Sequence, residues 1–505
     1  MKRVLTERNR YFDSVFLMRI GTELERVEGV SHATVAMGTP ANLDSLQAVG
    51  FAFDDYERIA PQDLLIALDV RAESDIEAAR SRLEELLAGA GSEGDVADVR
   101  PESLIEAIEL DSGSNLALIS VPGLYAAREA RTALRAGLHV MLFSDNVSIE
   151  DEVMLKEEAM GRGLLMMGPD CGTAILNGVP LGFANVCRRG VIGIVGASGT
   201  GVQEVSTLVH RFGGGISQAI GTGGRDLSTE VEARMTRFGI EALRADPQTR
   251  AIVVVSKTPA PGVGERVVQA LAEIGKPTIV SFIGGERRDP MGDIVFSATL
   301  AEAALLACQA VGIDATLSTG VETAEPIAPV SGRLAGLFCG GTLCQEAWSL
   351  MDRAGFDVHS NVASDAAMRV HPGERVEGHV LWDLGDDAFT VGKPHPMIAP
   401  SLRDDEVLFC GADRSVGAVL VDCVLGYGAH PDPAQSLAGA AERAMARAAA
   451  DGRELRILAS VTGTELDPQD GIAQRAVLEA AGIVVAESNA AAVRRAMALL
   501  RRGTA

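Results

Sequence analysis

Two short stretches place the same residue types at the same spacing. Gly196-Ala-Ser-Gly-Thr-Gly-Val-Gln-Glu204 and Cys339-Gly-Gly-Thr-Leu-Cys-Gln-Glu346 share Gly-Thr-x-x-Gln-Glu behind an apolar run, and each reads as a strand running into a helix. Glycine at such a turn lets the backbone approach closely, and the helix start points unpaired N–H groups and its positive dipole end at one spot. The chemistry this suits is anion binding. Ser198, Gly199, Thr200 and Gly201 from the first copy, with Gly340, Gly341 and Thr342 from the second, are the candidate phosphate ligands. Copies about 140 residues apart suggest one phosphate-bearing substrate held from two sides by two domains of related build.

Asp170 and Cys171 follow an apolar run in Gly168-Pro-Asp-Cys-Gly172. Parallel sheets bind ligands at the carboxyl ends of their strands, which favours Asp170 as a polar site residue. Cys171 reads either as a small buried thiol or as a substrate contact. Asp383, Asp386 and Asp387, followed by Lys393 and His395, offer carboxylate and imidazole groups. Such a set suits a divalent metal, a substrate contact or a solvated loop. We assign Asp386 and His395 to substrate and no residue to a metal. His430, after Gly426-Tyr-Gly428, can titrate near neutral pH as an acid or base, or serve structurally beside Pro431.

These residues need elements to hold them. Residues 1–110 alternate strand-like pieces (13–20, 32–37, 63–70) with helix-like ones (22–27, after Pro40, 74–87), an order that resembles a small βαββαβ-type domain. Residues 88–93 and the polar stretch to Ser114 read as a linker. From Asn115 almost continuously apolar strands (116–121, 139–144, 164–167, 191–195) alternate with helices (126–136, 148–162). That rhythm predicts a parallel sheet covered on both faces. It continues through 252–256 and 278–283 and breaks at the two prolines of 322–329. It then resumes with strands at 334–338, 407–409, 418–425, 456–461 and 482–486. The domains expected are 1–110, 111–190, 191–325 and 326–505.

Composition agrees with an α/β chain of many strand-to-helix turns, since 505 residues allow about three domains and glycine reaches 55 while aromatics are only 4%. The formal charge of −24 repels nucleic acid and anionic membrane, so an anionic substrate needs local compensation. Seven scattered cysteines without metal-like spacing predict free thiols in a reducing cytoplasm. The first residues lack the apolar core of a signal peptide, and no run approaches a membrane span, so a cytoplasmic location is expected.

Pro169-Asp-Cys-Gly-Thr173, both Gly-Thr turns, Gly213-Gly-Gly-Ile-Ser-Gln-Ala-Ile-Gly-Thr-Gly-Gly-Arg-Asp226 and Asp246-Pro-Gln-Thr-Arg-Ala-Ile252 resemble the succinyl-CoA synthetase α-subunit superfamily over about 115–315. Met37-Gly-Thr-Pro-Ala-Asn42, Phe143-Ser-Asp-Asn-Val147, Asp383-Leu-Gly-Asp-Asp387, Gly392-Lys-Pro-His-Pro-Met397, Asp422-Cys-Val-Leu-Gly-Tyr-Gly-Ala-His430 and Val461-Thr-Gly-Thr-Glu465 extend the likeness over nearly the whole chain and resemble the FdrA family. The resemblance implies a small N-terminal α+β domain, a Rossmann-like CoA-binding-type domain, and two flavodoxin-like, succinyl-CoA synthetase-like parallel-sheet domains. It also implies an activity. Members are commonly labelled acyl-CoA synthetases, and the family is linked to anaerobic allantoin breakdown as a component of oxamate carbamoyltransferase acting with two partner proteins.

Carbamoyl transfer from carbamoyl phosphate requires phosphate-binding dipoles, a cation for the leaving phosphate and donors aimed at the carbonyl oxygen. On this reading Arg225, directly after Gly221-Thr-Gly-Gly224, supplies charge, and Asp170 and His430 are the other catalytic candidates. Gly223, Gly224, Cys171, Asp386 and His395 contact substrate. A ligase of the succinyl-CoA type would instead pass phosphate through a histidine, yet none lies between His210 and His359, and Asp293 stands near the matching place. CoA belongs to that second reading. Its usual Gly-rich cradle is not found before Asn115, leaving Gly38-Thr39 and Val121-Pro-Gly123 as substitutes. A third reading is a non-catalytic ligand-binding or scaffold subunit.

Overall fold

The computed structural model describes residues 1–505 apart from 11, 13, 53–58, 90–100, 102, 287, 317–329, 375, 391–392 and 503–505. The proline-bearing boundary at 322–329 lies outside the described residues.

The N-terminal unit is a three-stranded antiparallel sheet in the order Lys2–Glu7, Leu64–Val70, Val30–Met37, packed by helices Ser14–Leu24 and Ser74–Gly89. The strand expected at 13–20 is instead helical. Leu17, Ile20 and Leu24 recur at helical spacing and are all buried, a periodicity that a short apolar run conceals. The same ambiguity accounts for 407–409, which belongs to helix Ser401–Ala412 and buries Val407 while exposing Phe409.

A short parallel sheet follows, Leu116–Ile119, His139–Leu142 and Met166–Met167, flanked by helices Gly123–Arg135 and Ile149–Gly161. The next hairpin, Thr173–Leu176 with Val179–Gly182, leaves this sheet and pairs antiparallel with Ile216–Gly221. It thus extends the larger sheet beyond.

That sheet has seven strands: Ile294–Phe296, Thr278–Ile283, Ala251–Lys257, Arg189–Gly196, Ile216–Gly221 and the hairpin. Counted from Arg189–Gly196, its five parallel strands lie in the order 5-4-3-1-2. The C-terminal sheet is wholly parallel, in the order Val358–Ser360, His379–Asp383, Arg333–Phe338, Val416–Val424, Arg456–Thr462, Val484–Ala486. Without its edge strand Val358–Ser360 it too reads 2-1-3-4-5. In each half the strand bearing the Gly-Thr turn sits where the winding reverses, which is where open α/β sheets bind ligands.

Between the sheets lie four helices, Gly199–Arg211 and Leu300–Ala310 from one half, Gly341–Arg353 and Asn489–Arg502 from the other. One apolar core runs through both halves, joining Val205, Val209 and Ala304 to Leu343, Ala347 and Ala496. Burying each Val or Leu here contributes roughly 2 kcal/mol. Every residue from Gly201 to His210 is buried, so the polar ones in that helix must find partners inside the protein.

Candidate functional site

The two turns meet. Ser198 caps helix Gly199–Arg211, its Oγ accepting from the N–H of Gly201 at 3.0 Å, and the same oxygen lies 2.6 Å from Thr342 Oγ1 of the second turn. Gly340 allows this approach, because a Cβ there would come to 3.0 Å from Thr200 Cγ2 and 3.1 Å from Asp422 Oδ2. Ser198, Thr200, Gly340 and Thr342 therefore form one locus, with Gly199, Gly201 and Gly341 in the adjoining first turns.

The two helix starts differ in what holds them. In the second, the fully buried Asp422 carboxylate accepts the N–H groups of Cys339 at 2.7 Å and Gly340 at 2.8 Å. Asp383 lies against the same turn, where a Cβ on Gly341 would overlap its Oδ2 and stand 3.4 Å from Lys257 Nζ. Burial raises the Asp383 carboxyl to about 6, against the pull of Lys257 and of the Gly385 N–H at 3.0 Å.

Asp170 faces the same polar region from the first half. Solvent reaches it, yet protein surrounds it and raises its pKa to about 6, with Asp145 and Asp387 adding like charge and Lys257 and Arg225 opposing them. Gly223 and Gly224 lie directly beneath. A Cβ on Gly223 would overlap the Pro169 carbonyl, and one on Gly224 would sit 3.3 Å from Asp170 Oδ2. Arg225 is less available than its position in sequence suggested. Its Nη2 stands 2.9 Å from Glu152 Oε2 and donates to the Val147 carbonyl at 2.8 Å. Glu152 belongs to a fully buried cluster in which Lys156 Nζ bonds Glu152 and Asp226, each at 2.7 Å.

Lys257, which the sequence reading missed, is the exposed cation that acts on both Asp170 and Asp383. The signal was its place just after the apolar strand expected at 252–256, at a carboxyl end.

The remaining candidates are placed as follows. Cys171 is 2% exposed, its thiol donates weakly to the Thr173 carbonyl at 3.7 Å, and burial pushes its pKa up to about 12. It is a packed thiol and not the substrate contact expected. Asp386 caps its own turn, accepting the Ala388 N–H at 2.9 Å. His395 fits against Gly385, and its Nδ1 accepts the Met397 N–H at 3.2 Å. Burial holds it down to about 4, so it stays neutral. His430 bonds through its backbone N–H to Met397 at 2.8 Å, and its Nδ1 accepts the Asp432 N–H at 3.1 Å. Among the described residues no hydrogen bond joins His430 to Asp170 or Arg225. Asp293 also departs from expectation. Its carbonyl accepts the N–H of Thr278, at the amino ends of Thr278–Ile283 and Ile294–Phe296, the sheet edge opposite the Gly-Thr turn that follows Arg189–Gly196.

The Gln-Glu ends of both motifs have a separate role. Glu204 accepts the Asn489 N–H at 3.0 Å and the Thr462 hydroxyl at 2.6 Å, capping the last helix of the opposite half. Glu346 reciprocates, accepting the N–H of Leu300 at 2.7 Å and Asn489 Nδ2 at 2.8 Å. Burial raises Glu346 to about 7. Gln203 donates to the carbonyls of Phe183 and Leu425, and Gln345 to Ser364 Oγ at 3.3 Å.

Fold and matched domains together define a succinyl-CoA synthetase α-like chain. The family model described as CoA binding domain matches residues 188–284, and that described as CoA-ligase matches 337–499. A third, AllF, heavy metal-associated domain, matches 1–101. No cysteine lies within that segment, so it does not fit a soft heavy metal ion held by thiolates. The uncharacterized protein YahF of Escherichia coli (strain K12) is 44% identical over 497 residues, covering 96% of both chains, and this chain belongs to its family. The succinate–CoA ligase [ADP-forming] subunit alpha of Aquifex aeolicus (strain VF5) is 30% identical over 186 residues, 36% of this chain and 59% of that subunit. Among solved structures, the dinucleotide forming acetyl-coenzyme A synthetase 1 of Ca. Korarchaeum cryptofilum aligns with 77% of this chain and 82% of its own, at 16% identity and a TM-score of 0.29. Among the described residues no helix is long and apolar enough to cross a membrane, and no group of three potential ligands could hold a metal ion.

Proposed function

We propose that this chain is a cytoplasmic subunit of a carbamoyltransferase of the FdrA kind, moving a carbamoyl group between carbamoyl phosphate and oxamate with two companion proteins. The observation that carries the reading is the facing pair of helix starts, Ser198 Oγ 2.6 Å from Thr342 Oγ1, beside Lys257 and an Asp170 of raised pKa. Phosphate sits at the amino end of helix Gly199–Arg211, against Ser198 and Thr200. Lys257, assisted by Arg225, offsets its charge as it leaves. The amide nitrogen of oxamate attacks the carbonyl carbon, a C–N bond forms, and the C–O bond to phosphate breaks with its electron pair going to phosphate. Asp170 takes the proton lost by nitrogen. Its pKa near 6 keeps it ionised, hence basic, at neutral pH.

The matched CoA-ligase and CoA binding domains favour a second reading, an acyl-CoA synthetase using CoA. Against a covalent phosphohistidine stands the state of the histidines. His395 packs against Phe183 with its Nδ1 accepting the Met397 N–H, and His210, at the far end of its helix, bonds Glu465 and the Arg188 N–H. The test is oxamate-dependent phosphate release from carbamoyl phosphate, by the chain alone and with its companions. Thr200→Ala and Asp170→Asn should each lower kcat/KM by about a hundredfold. Phosphate release that requires ATP, CoA and a carboxylic acid, and ignores carbamoyl phosphate, would establish the ligase instead.

A further inference from the structure

A cavity of about 450 Å³ opens at the carboxyl ends of strands Ala251–Lys257, Thr278–Ile283 and Ile294–Phe296, beginning at Thr258, the residue after Lys257. The proposed transfer reaction makes no use of it. Phe282, Phe296 and Pro259 give it flat apolar walls. Ser297 supplies something a mere packing defect would not. This residue is 9% exposed and lines the cavity, its backbone N–H is bonded to Val280, and its hydroxyl Oγ has no hydrogen-bond partner. A buried hydroxyl left unpaired costs about 1–3 kcal/mol, a cost that a ligand with a hydrogen-bonding edge would remove.

The charges around the cavity decide the ligand class. Both guanidinium groups are engaged, Arg288 with Glu265 at 2.7 Å while lying over the Phe296 ring, and Arg353 with the Gly285 carbonyl. Glu302 accepts the Ala298 N–H at 2.6 Å. Glu286 is exposed at the rim and, among the described residues, has no bonded partner. Among the described residues that line the cavity both cations are already paired, so a polyphosphate would meet none free there, whereas a ribose diol would meet a carboxylate acceptor. From the aromatic walls, the orphan hydroxyl and the acidic rim we infer that this cavity is a nucleoside site. It takes an uncharged planar base against Phe282 and Phe296, with the base edge on Ser297 Oγ and the sugar toward Glu286. The inference goes beyond carbamoyl transfer and does not depend on it.

Saturation-transfer NMR on the full chain with adenosine, ribose and ATP tests it. Adenosine should receive saturation at its base protons and ribose alone should not. Ser297→Val, nearly isosteric, should weaken adenosine by about fivefold to tenfold. Phe296→Leu, which keeps the apolar volume and removes the ring face, should weaken it by about fivefold. No transfer to adenosine at millimolar concentration, ATP binding more tightly than adenosine, or wild-type affinity in both variants would overturn the assignment.

Discussion

At residues 196–204 and 338–346 the chain passes from strand to helix through one shared pattern, and the two passages are held by different chemistry. The first ends in a serine hydroxyl that caps its own helix. In the second, Gly340 has no side chain to cap with, and a carboxylate from the neighbouring strand, Asp422, holds the N–H groups of Cys339 and Gly340 just ahead of the helix. At the matching place in the first half the partner of Ala197 is the backbone carbonyl of Val255, and no carboxylate caps that helix among the described residues. A repeated motif has thus divided its labour: the first copy is capped by its own Ser198, and the second is braced from behind by Asp422 and brings Thr342 against that serine.

Four substitutions can break or sharpen this contrast. Asp422→Asn should have the largest effect, about 3 kcal/mol lost in chemical denaturation, because it removes a buried charge that holds two N–H groups beside the buried Arg403. Next is Glu346. Its pKa is raised from 4.5 to about 7, so its stabilising contribution is complete below pH 4.5 and is lost as pH rises through 7. Thermal unfolding should show a fall across that interval of up to about 3 kcal/mol that Glu346→Gln removes. Gly340→Ala forces Thr200 and Asp422 aside and should cost about 2 kcal/mol, with loss of turnover. Ser198→Ala should cost about 1 kcal/mol, the value of a helix cap, and reduce affinity for phosphate, whereas a cap lost with no change in phosphate binding would erase the distinction between the copies.

Much of this architecture was legible in sequence because buried parallel strands announce themselves as apolar runs, as at 191–195, 252–256 and 278–283. The pairing of the two turns was legible too, from Gly-Thr spacing alone. Runs of a few apolar residues were not. Leu17, Ile20 and Leu24 and the segment around Val407 are helical, since three or four residues cannot distinguish a period of 2 from one of 3.6. Nor could local sequence reveal that Arg225 is engaged by Glu152, or that Lys257 stands between two carboxyls from different halves. Those facts depend on contacts far apart in the chain. The glutamates of the shared pattern were in plain view, but their partners, Asn489 and Leu300, could be found only in three dimensions.

That exchange has a bearing on how the protein comes to be made. Glu204 and Asn489 are 285 positions apart, so a ribosome releases the acidic residue long before the amide that satisfies it. During that interval the early half holds a carboxylate in its interior without its final donor, and docking of the terminal segment is the event that completes both halves together. Deleting Asn489–Arg502 should therefore loosen the distant residues around Glu204 as much as those nearby.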